Sequence, residues 1–182
     1  CFLYIYYMKK TALALVLLSL LFISFSNDSI AQTNEEIFTI YLIRHSEKKV
    51  SAHNEFDPPL TACGIKRSEY LSSFFEDVDI QNIYSTNYMR TKNTATPIAS
   101  TKKVDIQYYD SSDLKTLSER IMDLKKNSLV IGHSNTTPVL AGLLVDEVID
   151  PFDESIYNRI YKVVININKK KLFVINSTFN CG

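Results

Sequence analysis

Two hydrophobic periods alternate along most of the chain, one near two residues and one near 3.6. Phe38 to Ile43 is a β-rich run that ends at Arg44-His45, and a polar loop from Glu47 to Pro59 follows. Thr61 then stands as an N-cap before Leu71, Phe74, Phe75 and Val78, which fall at i, i+3, i+4 and i+7 and so share one face of a helix. Ile80 to Ser85 reads as a short strand. A helix from about Asn87 to Ser100 carries Met89, Ala95, Ile98 and Ala99, and Pro97 is expected to kink it or end it early. Val104 to Tyr109 is the next strand, and Leu114, Leu117, Ile121 and Leu124 form the next helical stripe. Leu129 to Gly132 is apolar throughout, as suits the middle of a parallel sheet covered on both faces. Thr137 as N-cap with Pro138 behind it starts a helix that runs to Val145. Finally, Tyr157 to Ile167 and Leu172 to Asn176 flank Asn168-Lys169-Lys170-Lys171, the pattern of a hairpin.

Strands that alternate with helices imply βαβ units. The expected fold class is therefore α/β: a three-layer sandwich with a mainly parallel sheet, an antiparallel C-terminal hairpin and helices on both faces. Ligands in such sheets bind outside the carboxyl ends of the strands.

The start of the chain has a different character. Met8 is followed by Lys9 and Lys10, an apolar run from Thr11 to Phe25, and a polar exit through Ser29-Ile30-Ala31. A charged n-region, a short apolar core and small residues before a cut at Gln32 read as a secretory signal peptide. The alternative is a membrane anchor, although the run is shorter than the roughly 20 residues that span a bilayer. Cys1 to Tyr7 read as an over-extended gene start. Residues 1–31 are thus set apart from one domain over 32–182, and the expected location is outside the cytoplasm, periplasmic or secreted, without stable membrane association after cleavage.

Composition narrows the picture further. Of the 182 residues 46% are hydrophobic and 22% charged, so the chain can build a core. Formal net charge is zero and no long basic block occurs, which gives no support to nucleic-acid binding. Cys63 and Cys181 lie far apart and lack metal-site spacing, and their pairing is left open.

The candidate chemistry sits at expected strand ends. Arg44-His45 and Gly132-His133 each end a buried-type strand, so both imidazoles open onto one rim, and Arg90 lies early in a helix that starts there. Arginine forks pair phosphate oxygens bidentately, and a neutral imidazole can attack phosphorus and hold the phosphoryl group covalently. Arg44, Arg90 and a protonated His133 would stabilise the equatorial oxygens. A histidine at a strand end is often structural, but two of the three histidines share this placement. His53 lies in the polar loop and reads as solvated. A metal site is disfavoured, because the spacing matches no zinc pattern and two arginines would repel the ion.

These residues resemble the histidine phosphatase superfamily. Arg44-His45-Ser46-Glu47 is similar to the short branch's Arg-His-Ala-Glu. Tyr84 to Ala95 resembles Ser-x-x-x-Arg-x-x-x-Thr-Ala with one extra residue before Arg90. Pro58 to Gly64 resembles the Leu-Thr-x-x-Gly element, and Gly132-His133-Ser134-Asn135 resembles the late Gly-His motif. The resemblance implies a phosphomonoesterase, with no metal or other cofactor, whose His45 is the phosphorylated nucleophile and whose Arg44, Arg90 and His133 complete the phosphate pocket. It acts on a phosphorylated small molecule or phosphoprotein. The acid phosphatases' Asp after the second His is replaced by Ser134, and the mutases' donor Glu is missing. Asp110 is the remaining candidate general acid, and its other reading is a turn residue ahead of a helix. Without a strong acid, good leaving groups such as phosphohistidine or aryl phosphates are favoured. Two other readings remain, a phosphate-binding or interaction domain without turnover and a mutase-like phosphotransferase. The loop from Glu47 to Pro59 is the only candidate for a partial cover.

Overall fold

A computed structural model of the chain describes residues 37–50 and 56–181. The leader-like segment, His53 and the middle of the 47–59 loop lie outside the described residues. Six strands form one sheet: β1 (Phe38–Arg44), β2 (Asn82–Thr86), β3 (Ile106–Tyr109), β4 (Ser128–Gly132), β5 (Arg159–Asn166) and β6 (Lys169–Asn176). Four helices are interleaved with them: α1 (Ala62–Phe74), α2 (Met89–Lys102), α3 (Leu114–Leu124) and α4 (Thr137–Val145).

The sheet order is β3-β2-β4-β1-β5-β6. β1, β2, β3 and β4 are mutually parallel, while β5 runs antiparallel to β1 and β6 antiparallel to β5. The period-two pattern divides each central strand between two cores. Ile40 and Leu42 of β1 and Val130 of β4 pack with Leu117, Ile121, Leu140 and Leu144, on the side of α3 and α4. Ile43, Leu129 and Ile131 pack with Leu71, Phe75, Ala95 and Ile98, on the side of α1 and α2. The result is the expected α/β sandwich of three layers.

Local chemistry accounts for the element ends. The Thr61 hydroxyl accepts from the Gly64 N–H and caps α1, which stops at Phe74, so Val78 lies past the helix. Pro97 does not shorten α2, which continues to Lys102. The carbonyl that Pro97 leaves without an intrahelical donor belongs to Asn93, an exposed residue that water can satisfy. The N-cap of α4 is Thr136 rather than Thr137, one residue earlier than expected. The hairpin turn is only Ile167-Asn168, and the three lysines belong to β6. β6 is the sheet edge, where lysines discourage pairing with another chain.

Cys63 and Cys181 form a disulfide with Cα atoms 5.7 Å apart, joining the first turn of α1 to the C-terminal tail. Among the described residues no helix is long and apolar enough to cross a membrane.

Candidate active site

Arg44, the last residue of β1, lies opposite Gly132, the last of β4, in the parallel register. His45 and His133 are therefore neighbours just past two adjacent strand ends, with ring centroids 5.5 Å apart. Gly132 has to be small: a Cβ there would meet the Tyr109 hydroxyl at 2.7 Å and Thr136 Oγ1 at 2.8 Å.

His45 is 2% exposed. Its backbone N–H donates to the Gly132 carbonyl at 2.9 Å, and its Nδ1 lies 2.8 Å from the Ser46 carbonyl. A carbonyl only accepts, so Nδ1 carries the hydrogen and Nε2 keeps its lone pair. Burial, with Arg44, His133 and Arg90 nearby, pushes the His45 pKa down to about 3, against the opposing bond to Ser46. The ring is thus neutral near pH 7 and shaped as a nucleophile.

His133 has the opposite tautomer. Thr91 donates its hydroxyl hydrogen to the Thr86 or Tyr88 carbonyl, so it can only accept from Thr86 Oγ1, 2.9 Å away. Thr86 Oγ1 must in turn accept from His133 Nε2 at 3.1 Å. Nδ1 of His133 is left free for other partners. Burial, with Arg90, Arg44 and Lys48, lowers the His133 pKa to about 4. The expected imidazolium is therefore neutral in the free site, and a phosphate dianion beside it would raise its pKa.

The two low values carry a stability consequence. Unfolded histidine binds a proton near pH 6.5, while these folded rings stay neutral until about pH 3 and 4. Between those limits the unfolded state holds more protons, so folded stability falls as pH falls. Relative to His45→Ala, the wild type should lose up to about 1.4 kcal/mol per pH unit between pH 6 and 4. Urea titrations at several pH values measure this, and parallel stability curves for the two proteins would show that His45 titrates normally.

The arginines converge on the same place. Arg44 is 3% exposed; its Nη1 donates to the Glu154 carbonyl and lies 3.4 Å from that of Ile156, and its guanidinium sits 4.1 Å over the Tyr157 ring. Arg90 projects from the first turn of α2, 4.3 Å over Tyr88, with Nη1 3.5 Å from the Asp57 carboxylate. Nε of both arginines is buried without a partner. Unsatisfied buried cationic donors are costly, and an oxyanion would satisfy them. A cavity of about 320 Å³ is lined by Arg44, His45, Arg90 and His133 together with Lys48, Tyr88 and Ser134 to Thr136. A larger cavity, about 590 Å³, lies against α2 and β3 but has no histidine or arginine in its wall.

Asp110 does not face this cavity. Its exposed carboxylate accepts from the Ser112 N–H and hydroxyl at 2.8 and 2.7 Å, and these bonds lower its pKa. Ser111 and Ser112 line the cavity in its place. The one carboxylate among the described lining residues is Glu154, 4.0 Å from both Arg44 and Lys48.

The nucleophile loop is held from two sides. The Thr94 hydroxyl of α2 accepts from the Ser46 N–H at 2.9 Å. The Thr61 N–H donates to the Glu47 carbonyl at 2.8 Å, and Gly64 admits the Glu47 backbone where a Cβ would collide. One turn further, buried Arg67 grips the Glu47 carboxylate with Nε at 2.9 Å and Nη2 at 2.7 Å. Arg67, Tyr88, Tyr157 and Glu154 were not expected from the sequence. Arg67 alone left a signal, standing one turn beyond Gly64 on the same helix face. Glu47 also lies beside Cys63 and Cys181, close enough for a metal cluster, but the sulfurs are joined and the carboxylate is committed to Arg67.

The sequence family described as "Histidine phosphatase superfamily (branch 1)" matches residues 40–146, more than half of the chain. The chain belongs to the histidine phosphatase superfamily. Solved structures agree on the fold. The α-ribazole phosphatase from Shigella flexneri superposes with a TM-score of 0.63 at 17% identity, over 77% of this chain and 96% of that one. The protein histidine phosphatase SixA, complexed with tungstate, gives 0.63 at 15% identity, over 76% and 97%. A mycobacterial glucosyl-3-phosphoglycerate phosphatase gives 0.61 at 9% identity, over 78% and 100%. No curated protein sequence matches the chain significantly. Within the histidine phosphatase superfamily the chain falls in the short branch, and its enzyme class is that of a phosphatase.

Proposed function

We propose that the protein hydrolyses phosphomonoesters without a metal ion, through a phosphohistidine on His45. The observation that carries this reading is the opposed pair of tautomers: His45 presents Nε2 as a lone pair, while His133 is held through its Nε2–H by Thr86. In the first step His45 Nε2 attacks phosphorus in line with the ester oxygen. The P–N bond forms, the P–O bond breaks, and the leaving oxygen takes the electron pair and then a proton from solvent. Arg44 and Arg90 bind the equatorial oxygens, and His133 joins them once the bound phosphate dianion has raised its pKa and a proton from solvent on Nδ1 makes that atom a donor. In the second step water attacks phosphorus and the P–N bond breaks. Both water protons end on inorganic phosphate, and His45 returns to its neutral form.

Fixed guanidinium charge here does what a divalent cation does in many phosphatases, which is why no metal enters the reading. The substrate is a phosphorylated small molecule or phosphoprotein; SixA, by its name, acts on protein histidine. The 1–31 pattern supports export, and the Cys63–Cys181 disulfide is in keeping with an oxidising compartment.

Turnover of p-nitrophenyl phosphate by the 32–182 chain in excess EDTA is the expected result. Rapid quench with a labelled substrate should trap an acid-labile, base-stable phosphoenzyme. Phosphate binding without turnover or trapped label would select the binding-domain reading.

A further inference from the structure

Rings continue outward from the nucleophile. His45 and His133 are edge to face at 5.5 Å, His133 meets Tyr88 at 5.4 Å and 82°, and Tyr88 meets Phe56 at 5.7 Å and 55°. The first three line the cavity, and Phe56 reaches it through its contact with Tyr88. Phe56 is 83% exposed. It is nevertheless held in position. The next residue, Asp57, accepts from the Met89 N–H at 2.8 and 3.0 Å and reaches Arg90, which fastens this end of the loop to the start of α2. Arg90 in turn lies over the Tyr88 ring. Both aromatic faces are thereby tied to the arginine expected to bind phosphate.

We infer that Tyr88 and Phe56 form a platform for the leaving group, and that the substrate's leaving group is a planar aromatic ring, as in an aryl phosphate. This rests on the phosphate-site reading above. A group esterified to a phosphoryl held by Arg90 leaves the cavity beside Tyr88, and Phe56 extends the same apolar surface outward. Planar rings pack on such faces in offset or edge-to-face geometry, whereas a saturated ring of equal size is too thick to do so closely. The chemistry agrees with the surface. The carboxylates near the cavity among the described residues each have other partners: Glu154 lies 4.0 Å from Arg44 and Lys48, Asp57 accepts from the Met89 N–H and pairs with Arg90, and Asp110 accepts from Ser112. A phenolate leaves without a proton donor far better than an alkoxide does.

The test uses phenylphosphonate and cyclohexylphosphonate, which are not hydrolysed, titrated calorimetrically into the wild type, Phe56→Ala and Phe56→Tyr, with inorganic phosphate as a third ligand. The wild type should bind the phenyl compound about five-fold more tightly than the cyclohexyl one. Phe56→Ala should reduce that ratio to near one, and Phe56→Tyr should preserve it. Equal affinities in the wild type, or a ratio unchanged by Phe56→Ala, would overturn the platform. If inorganic phosphate binds while the phenyl preference is missing, only the platform fails. If none of the three ligands binds, the phosphate site fails and the platform with it.

Discussion

His45→Ala should lower turnover by at least about 10⁴-fold, because in the proposed mechanism it removes the atom that carries the phosphoryl group between the two steps. The structural cost should be smaller than the chemical one. The His45 backbone N–H still donates to the Gly132 carbonyl, and Ser46 stays anchored to Thr94. Loss of a buried ring leaves a small cavity but breaks no ion pair, because the ring is neutral near pH 7. The expected variant is folded, binds inorganic phosphate through Arg44 and Arg90, and yields no trapped phosphoenzyme. Activity assays, phosphate titration and quench experiments on the same preparation check all three. Wild-type-like turnover in His45→Ala would mean that water attacks the ester directly and that no phosphohistidine forms.

The second large effect concerns stability. The Cys63–Cys181 bond closes a loop of 118 residues. A crosslink of that length removes much of the freedom of the unfolded chain, and the loop-closure relation places its contribution near 5 kcal/mol. The tail it secures has its own packing: Phe179 lies 4.7 Å from the Arg67 guanidinium and 5.3 Å from the Tyr70 ring. Some of the clamp therefore survives reduction. Cys63→Ser/Cys181→Ser should lose between about 3 and 5 kcal/mol of unfolding free energy, a fifth or more of the stability of an ordinary domain. Urea denaturation of the oxidised wild type against the double variant measures it. A difference under about 1 kcal/mol would show that the bond scarcely constrains the unfolded chain.

Arg67 connects this clamp to the chemistry. It is the residue on which Phe179 stacks, and its fork holds the carboxylate two residues after His45. Tail, helix α1 and nucleophile loop are thus packed into one unit, although only the loop touches the cavity.

Local patterning determined the elements and the order of the chemistry along the chain. Near-continuous apolar runs ending in Arg44-His45 and Gly132-His133 were legible because a parallel strand covered on both faces is apolar on both, and the charged and imidazole side chains begin where it ends. Thr61 was legible as a cap for the same local reason. Register, by contrast, is a property of two distant segments. Only the pairing of Arg44 with Gly132 brings the two histidines side by side, and only the hydrogen-bond chain through Thr86 and Thr91 assigns their tautomers. The low pKa values belong to burial beside Arg44 at the end of β1 and Arg90 of α2, with Lys48 added for His133, which no single stretch of sequence expresses. Asp110 shows the limit from the other side. Its position past a strand end suits a proton donor, yet the side chain turns back to Ser112, in the two-residue turn bond that aspartate commonly makes. Glu154 and Tyr157 reach the site on a loop 110 residues and more beyond Arg44, and the cysteines pair across 118. Such contacts follow from the packed sheet, which fixes where loops end, rather than from any periodicity the loops carry themselves.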